Sequence, residues 1–303
     1  MMNLLASTLP GTQGLFVVVE SGLATGLIYA ALMLGIILVF QVGRAINFAY
    51  GEYGGLAALV AYYLITTVHA PTAAAIIAGI VVAVVLATAT ELTLMRKLGE
   101  VGTSGRDLLV TLGLLLFLEA LGQQMFGANP ESFPALGENT LLRVGGYRVD
   151  VGQVLVIVFC ALLVVGTKLF LDRTGLGLRL RAVASRPDIA SSVGLNVRLL
   201  RTSVWAVSGV FAACGAMLFG SQLSVDPFYM TNIIVLVFIA GMVGGLWNFW
   251  LPISCAVGLG VFLSVTEFVF GANSGTPAVF IAVLVILVLL PKSIVGELET
   301  ERA

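Results

Sequence analysis

Long apolar runs separated by short polar breaks dominate the chain, and the runs are longer than a soluble strand or an amphipathic helix would show. A segment that crosses the hydrocarbon layer needs about 20 mostly apolar residues, with its backbone hydrogen bonds closed internally. Runs of this kind occupy residues 14–40, 48–65, 72–95, 108–126, 151–171, 202–222, 232–250, 252–270 and 279–290. The pattern predicts an all-α fold, a polytopic membrane helical bundle of about nine transmembrane spans. Because the last run is short and the second is rich in Gly and Tyr, about eight to ten spans fit the pattern. Small residues recur at Gly22, Gly26, Ala30, Ala31 and Gly35 of the first run and at Gly241, Gly244 and Gly245 of the seventh. In lipid such positions let helix backbones approach closely, so packed spans are expected and not a lone anchor.

The polar breaks set an orientation, because basic residues in short loops stay on the cytoplasmic side. Arg173, Arg179, Arg181, Arg186, Arg198 and Arg201 all fall between the fifth and sixth runs. With that loop inside, alternation places Arg44, Arg96, Lys97, Arg106 and Lys292 inside as well, and the breaks near His69, Asp226 and Asn273 outside. The segment Asn129–Asp150 lies outside on this scheme and mixes Arg143 and Arg148 with Glu131, Glu138 and Asp150. The amino terminus is then periplasmic and the carboxyl terminus cytoplasmic.

Composition narrows the function. Of the 303 residues 59% are hydrophobic and 10% charged, with a mean hydropathy of +1.08. Soluble domains carry about a quarter charged residues, so no water-facing surface could be built here. No polar half interrupts the runs, and residues 1–303 read as a single membrane domain with a cytoplasmic loop at 172–201 and a periplasmic loop at 127–150. A net charge of −1 gives no footprint for nucleic acid. Met1 to Glu20 contain no Lys or Arg, which argues against a cleaved signal peptide and keeps the first run as a span. Cys160, Cys214 and Cys255 lie in apolar runs without ligand spacing, and His69 is the only histidine, so neither a disulfide framework nor a metal site is expected. A phosphate-binding Gly-x-x-x-x-Gly-Lys-Ser/Thr loop is absent from the sequence, as is a nucleophile–base pair. The chain is therefore expected to be no enzyme, to need no cofactor, and to draw energy from a partner.

Two segments carry chemistry. In Gly43-Arg44-Ala45-Ile46-Asn47-Phe48-Ala49-Tyr50-Gly51-Glu52-Tyr53-Gly54-Gly55 an amide and a carboxylate enter a span beside three glycines. A carboxylate in hydrocarbon costs about 2.5–3.5 kcal/mol on insertion scales, so Glu52 should face a polar cavity, a partner or the interface. Glycine-interrupted helices are where transporters expose polar groups to a solute path; a glycine packing contact with Glu52 hydrogen-bonded for structure is the other reading. In the arginine-rich loop, Ser185-Arg186-Pro187-Asp188 predicts a helix over Arg186–Val193 of about 12 Å. Ser185 would cap it, Pro187 fits the first turn, Asp188 suits the positive end of the dipole, and Gly194 closes it in the left-handed region. Such an element is a docking helix for a cytoplasmic partner, or else a solvated loop that only satisfies the charge rule.

These residues resemble the inner-membrane permeases of branched-chain amino acid ABC importers, which include urea and amide relatives. The resemblance covers nearly the whole chain. It rests on Gly43, Asn47, Phe48, Ala49, Gly51 and Glu52, with Tyr50 where the family often has His, and on Arg173, Thr174, Gly177, Arg181, Ala182, Ala190, Gly194 and Asn196. It implies a second permease subunit, related or identical, two cytoplasmic ABC ATPase subunits and a periplasmic solute-binding protein. Arg186–Val193 would be the coupling helix, with Arg181, Arg186, Asp188, Ile189, Ala190, Val193 and Gly194 as its coupling residues. The chain departs from the family's Gly-Gly-x-Gly-Ser pattern, since Gly244-Gly245-Leu246 are followed by Trp247 and Asn248. Asn47, Gly51, Glu52, Trp247 and Asn248 are thus the expected lining of the solute path. Branched-chain amino acids are the solute the resemblance implies, with urea, an amide or another small organic solute as the alternative.

Other carboxylates enter or approach the spans. Glu91, one turn from Arg96 and Lys97, is expected to pair locally; Glu20 and Glu267 fall near the outer surface, and Glu119 shares a helical face with Gln123. They leave room for two rival classes. A secondary transporter or channel would use them for ion coupling, and an intramembrane enzyme would need a catalytic pair.

Overall fold

The breaks between apolar runs decide where the helices stop. The computed structural model describes residues 11–98, 106–127, 129, 131, 133, 141–144, 147–222 and 224–289; the two termini, Glu138 and Lys292 lie outside them. Helix α1 spans Gly11–Gly43 and ends where Arg44 turns to a left-handed φ of 55°. Helices α2 (Tyr50–Thr66) and α3 (Thr72–Thr93) flank a turn at His69 and Pro71, and a 3₁₀ turn, Met95–Leu98, follows α3. After α4 (Arg106–Phe126) comes an antiparallel hairpin, β1 (Leu141–Val144) with β2 (Tyr147–Asp150), in which Leu141 pairs with Asp150. Helix α5 (Val151–Arg173) leads into two short helices, α6 (Gly175–Ser185) and α7 (Pro187–Ser192). The chain continues as α8 (Val197–Gly220), α9 (Tyr229–Gly244), α10 (Trp250–Phe270) and α11 (Gly275–Leu289).

A helix occupies each predicted run. Six of them, α1, α3, α4, α5, α8 and α10, are long and apolar enough to cross a membrane, while α9 and α11 are apolar but shorter. Helix α2 has 17 residues and carries Glu52 in its first turn. Two boundaries differ from expectation by five residues or more. Helix α8 starts at Val197 and not at Thr202, because the Asn196 side chain accepts from Leu199 N at 3.0 Å and caps it early. Helix α9 ends at Gly244 and not at Trp250, because Gly245 takes a φ of 72° that breaks the helix.

The chain divides into two compact units, one of residues 1–30, 137–160 and 237–303, the other of residues 31–136 and 161–236. In the first, a Cβ on Gly26 of α1 would come within 2.5 Å of the Val257 carbonyl of α10, and one on Gly22 within 2.8 Å of Val261 Cα. Gly260 of α10 lies against the Gly26 backbone in return. In this unit the Asp150 amide of β2 also donates to the Glu20 carboxylate at 3.2 Å.

In the second unit α2, α3 and α8 each pack on the other two. Each helix gives a glycine to a neighbour. Gly54 of α2 meets the Ala212 carbonyl of α8, Gly79 of α3 meets the Ala57 carbonyl of α2, and Gly209 of α8 meets the Ala83 carbonyl of α3. Lipid tails are as apolar as leucine, so nothing like water expulsion drives these helices together; close van der Waals packing does. Side chains such as Ile77, Leu109, Leu116 and Leu162 point outward, as a lipid solvent requires. Leucine at Gly54 should overpack this junction by about 1–3 kcal/mol or more, whereas leucine at Gly113, with no atom within 4 Å of its Cβ position, should not. Thermal unfolding of the two variants in detergent checks this, and equal stability would contradict the packing account.

Candidate functional site

The elbow between α1 and α2 is built by side chains. Ala49 stands at the start of α2 without a capping group of its own, and Asn47 supplies one: its Oδ1 accepts from Ala49 N at 3.1 Å. The Asn47 amide nitrogen donates to Tyr53 Oη at 3.3 Å, Tyr53 donates to Thr90 Oγ1 of α3 at 3.0 Å, and Thr90 donates to the Leu86 carbonyl at 2.8 Å. Asn47, Tyr53 and Thr90 are all buried. A buried polar chain with its donors and acceptors paired is rigid, and removing one member strands the next. Beside it Tyr50 donates to the Leu32 carbonyl at 3.0 Å, its ring packed on Gly35.

Glu52 lies one turn further on and is 1% exposed. Its Oε1 accepts from Thr231 Oγ1 of α9 at 2.9 Å. Gly51 and Gly55 let the first turn of α2 reach α9, since a Cβ on Gly51 would come 3.1 Å from Ile234 and one on Gly55 would touch Met230. The carboxylate also sits at the positive end of the α2 dipole, a favourable place for it. The structure thus brings Asn47, Gly51 and Glu52 together at one helix start. Trp247 and Asn248 fall in the other unit, between α9 and α10, where Asn248 Oδ1 accepts from Trp250 N at 3.2 Å and both side chains are exposed.

A second cluster gathers at the same end of α3, starting from the next residue. Glu91, 1% exposed, receives Arg96 Nε on Oε1 at 3.2 Å, the local pairing expected for it. Thr202 Oγ1 of α8 stands 2.9 Å from the other oxygen and accepts from Arg96 Nη2 at 2.8 Å, while Arg201 Nε lies 3.6 Å from Oε1. Thr202 and Arg201 were invisible as partners in the sequence, because more than a hundred residues separate them from Glu91.

The loop 172–201 corrects one expectation. Ser185 does not cap the docking helix; it is the last residue of α6, a helix that the sequence reading missed. Pro187 disfavours helical geometry at the residue before it, so the break falls at Arg186, with φ −143° and ψ 90°, and Arg186 becomes the N-cap of α7 without a side-chain bond. The signal for α6 was present in Thr174, which accepts from Gly177 N at 3.0 Å as a true N-cap, and in Gly177, Leu180 and Val183, which are buried at helical spacing. At the other end Gly194, φ 85°, closes α7 as predicted: its amide reaches the Ser191 carbonyl at 3.0 Å and the Leu195 amide the Ala190 carbonyl at 3.1 Å. Asp188 occupies the first turn, and its carbonyl accepts from Ser191 and Ser192 hydroxyls. Ile189 and Val193 are exposed, at 55% and 72%, whereas Ala190 is buried. Arg181 pairs with Asp172 at 3.4 Å and ties α6 to the end of α5.

A hydrogen bond joins the loop to the elbow. Arg44 Nη2 donates to the Ala184 carbonyl at 3.1 Å, satisfying an end-of-helix acceptor on α6 and facing the negative end of its dipole.

Comparison with known proteins gives matches over most of the chain. A family model described as "Branched-chain amino acid transport system / permease component" matches residues 18–289. The chain is 25% identical over 298 residues to the high-affinity branched-chain amino acid transport system permease protein BraD of Pseudomonas aeruginosa, covering 93% of this chain and 96% of that protein. It is 22% identical over 298 residues to the permease protein LivH of the corresponding high-affinity system of Escherichia coli, with the same coverage of 93% and 96%.

Proposed function

The chain belongs to the branched-chain amino acid transport system permease family, and on that premise we propose that it is the translocating subunit of a binding-protein-dependent ABC importer for branched-chain amino acids. It is a multi-pass inner-membrane protein. Hydrolysis takes place in two separate cytoplasmic ATPase subunits, and the path is completed by a second permease subunit, related or identical. A loaded periplasmic binding protein docks at 127–150. Six arginines in the loop 172–201 support a cytoplasmic position for α7, with the amino terminus periplasmic and the carboxyl terminus cytoplasmic.

The observation that carries the reading is the double attachment of that loop. Its first half is held to the α1–α2 elbow by Arg44 on Ala184, and its exit into α8 is held to α3 by Glu91, Arg96 and Thr202. One tie ends in the elbow that holds Asn47 and leads into α2 with Glu52, the other in α3, and α2 and α3 meet α8 through Gly54, Gly79 and Gly209. Ile189 and Val193, four residues apart and exposed, fill a cleft in the ATPase from one face of α7, flanked by Arg186 and Asp188. A rigid shift of the ATPase then moves the elbow, which is how a packed pair of elements carries a displacement. Once that movement opens the Thr231 contact, the buried Glu52 carboxylate meets the ammonium group of the solute.

Ile189→Asp with Val193→Asp should abolish solute-stimulated ATP hydrolysis while leaving the permease folded, because both side chains are exposed. Hydrolysis by the reconstituted complex checks this, and a normal rate would withdraw the docking role. Glu52→Gln retains an acceptor for Thr231 and should assemble normally, yet lower uptake about tenfold, the effect of ~1.4 kcal/mol of lost charge attraction. Uptake of labelled leucine at equal expression measures it; an unchanged rate would return Glu52 to a structural role.

A further inference from the structure

We propose that the pairing of Glu131 with Val225 is an external latch: it holds the start of α9 over Glu52 and has to open in each transport cycle. The inference rests on the reading that Thr231 moves off Glu52 to admit the solute. Glu131 and Val225 form an antiparallel bridge in which each amide donates to the other's carbonyl at 2.9 Å. It joins the segment after α4 to the one between α8 and α9, both outside in the proposed orientation. Side chains reinforce it from two directions. Tyr62 of α2 donates to Glu131 Oε2 at 2.8 Å. Val225 is fully buried, and a Cβ on Gly220, the last residue of α8, would come 2.6 Å from its Cγ1.

From this bridge the chain runs along α2 toward the carboxylate. Tyr62 and Glu52 are ten residues apart on that helix, about 15 Å at 1.5 Å per residue. The segment 225–231 covers the same stretch. Val225 is tied through Glu131 to Tyr62, Pro227 meets Leu56 and Leu59 of α2 around Gly122 of α4, and Thr231 reaches Glu52. Two bonds brace it between: the Phe228 amide donates to Asp226 Oδ1 at 2.8 Å, and Tyr229 Oη donates to the Ala216 carbonyl at 3.2 Å. Met230, buried, lies against Gly55, so the first turn of α9 sits on the first turn of α2 and closes over Glu52. Solute arriving from outside therefore meets this segment before it meets the carboxylate. The fastening at its outer end is slight. One residue pair and the exposed Tyr62–Glu131 contact can part as a local event, with the helices still folded.

A disulfide across the bridge tests this. Facing residues of a hydrogen-bonded antiparallel pair stand about 5.5 Å apart at Cα, within the ~4.4–6.8 Å that a disulfide spans. Glu131→Cys with Val225→Cys, in proteoliposomes containing the whole importer, should form that bond under oxidant, with peptide masses separating it from any bond to Cys160, Cys214 or Cys255. Uptake of labelled leucine should be lost in oxidant and return with reductant, the return showing that the variant is folded. Equal uptake by the bonded and reduced forms overturns the latch. Hydrogen–deuterium exchange of the wild type is the second measurement, because the Val225 amide donates into the bridge. Its exchange should be faster while the importer hydrolyses ATP than at rest, and an unchanged rate overturns the latch. If the wild type moves no leucine, the solute assignment fails and Val225 exchange still decides the latch. Loss of uptake in the bonded form beside normal uptake by Glu52→Gln upholds the latch and overturns the role of Glu52.

Discussion

Backbone contact among α2, α3 and α8, one glycine from each, sets the geometry on which the rest of this protein depends. Two helices approach this closely where one carries no side chain at the crossing and the other only a small one, and in lipid such contact replaces the hydrophobic drive that would hold a soluble core together. The closeness has chemical consequences. It places Tyr53 of α2 within 3.0 Å of Thr90 on α3, and Glu91, the next residue, within 2.9 Å of Thr202 on α8. Polar groups that would be costly in hydrocarbon are thereby satisfied across helices, and the three helices are bonded as well as packed.

From this junction two features extend to the surface. One is the elbow, where Arg44 holds a φ of 55° that a non-glycine residue seldom adopts. Glycine would relax the backbone at that position; arginine is what reaches the Ala184 carbonyl. Backbone strain kept at a position that also makes a long-range bond is consistent with a role in transmitting movement. The other is α7, too short to be stable alone, which is held by its Gly194 closure and by burial of Ala190. Burial of Ala190 also means that a large residue there would disturb the loop itself, so the proposed docking role falls to the exposed Ile189 and Val193.

Much of this was legible in the chain. The apolar runs mark where helices form, because lipid leaves one solution for their backbone hydrogen bonds; six of those helices are long and apolar enough to cross it. Glu52 was legible as a buried carboxylate and Gly194 as a helix end, since each reflects a local rule. What escaped is non-local or depends on competition between local rules. Thr231 lies 179 residues from Glu52, and nothing in spacing predicts the pairing. Ser185 looked like a cap, yet Pro187 acts on Arg186 and moves the break one residue, while Thr174 was the cap of a helix read as loop. Asn47 was expected to line the path; what its bonds to Ala49 and Tyr53 show is that it shapes the elbow.

The central claim is that displacement of the loop 172–201 reaches the Glu52 site through Arg44. Its most direct test is the number of solute molecules translocated per ATP hydrolysed, measured in proteoliposomes containing the whole importer with Arg44→Gly. Glycine accepts the left-handed φ, so the elbow keeps its backbone while the bond to Ala184 is lost. The account predicts that ATP hydrolysis continues while solute moved per ATP falls several-fold, and an unchanged ratio would contradict it.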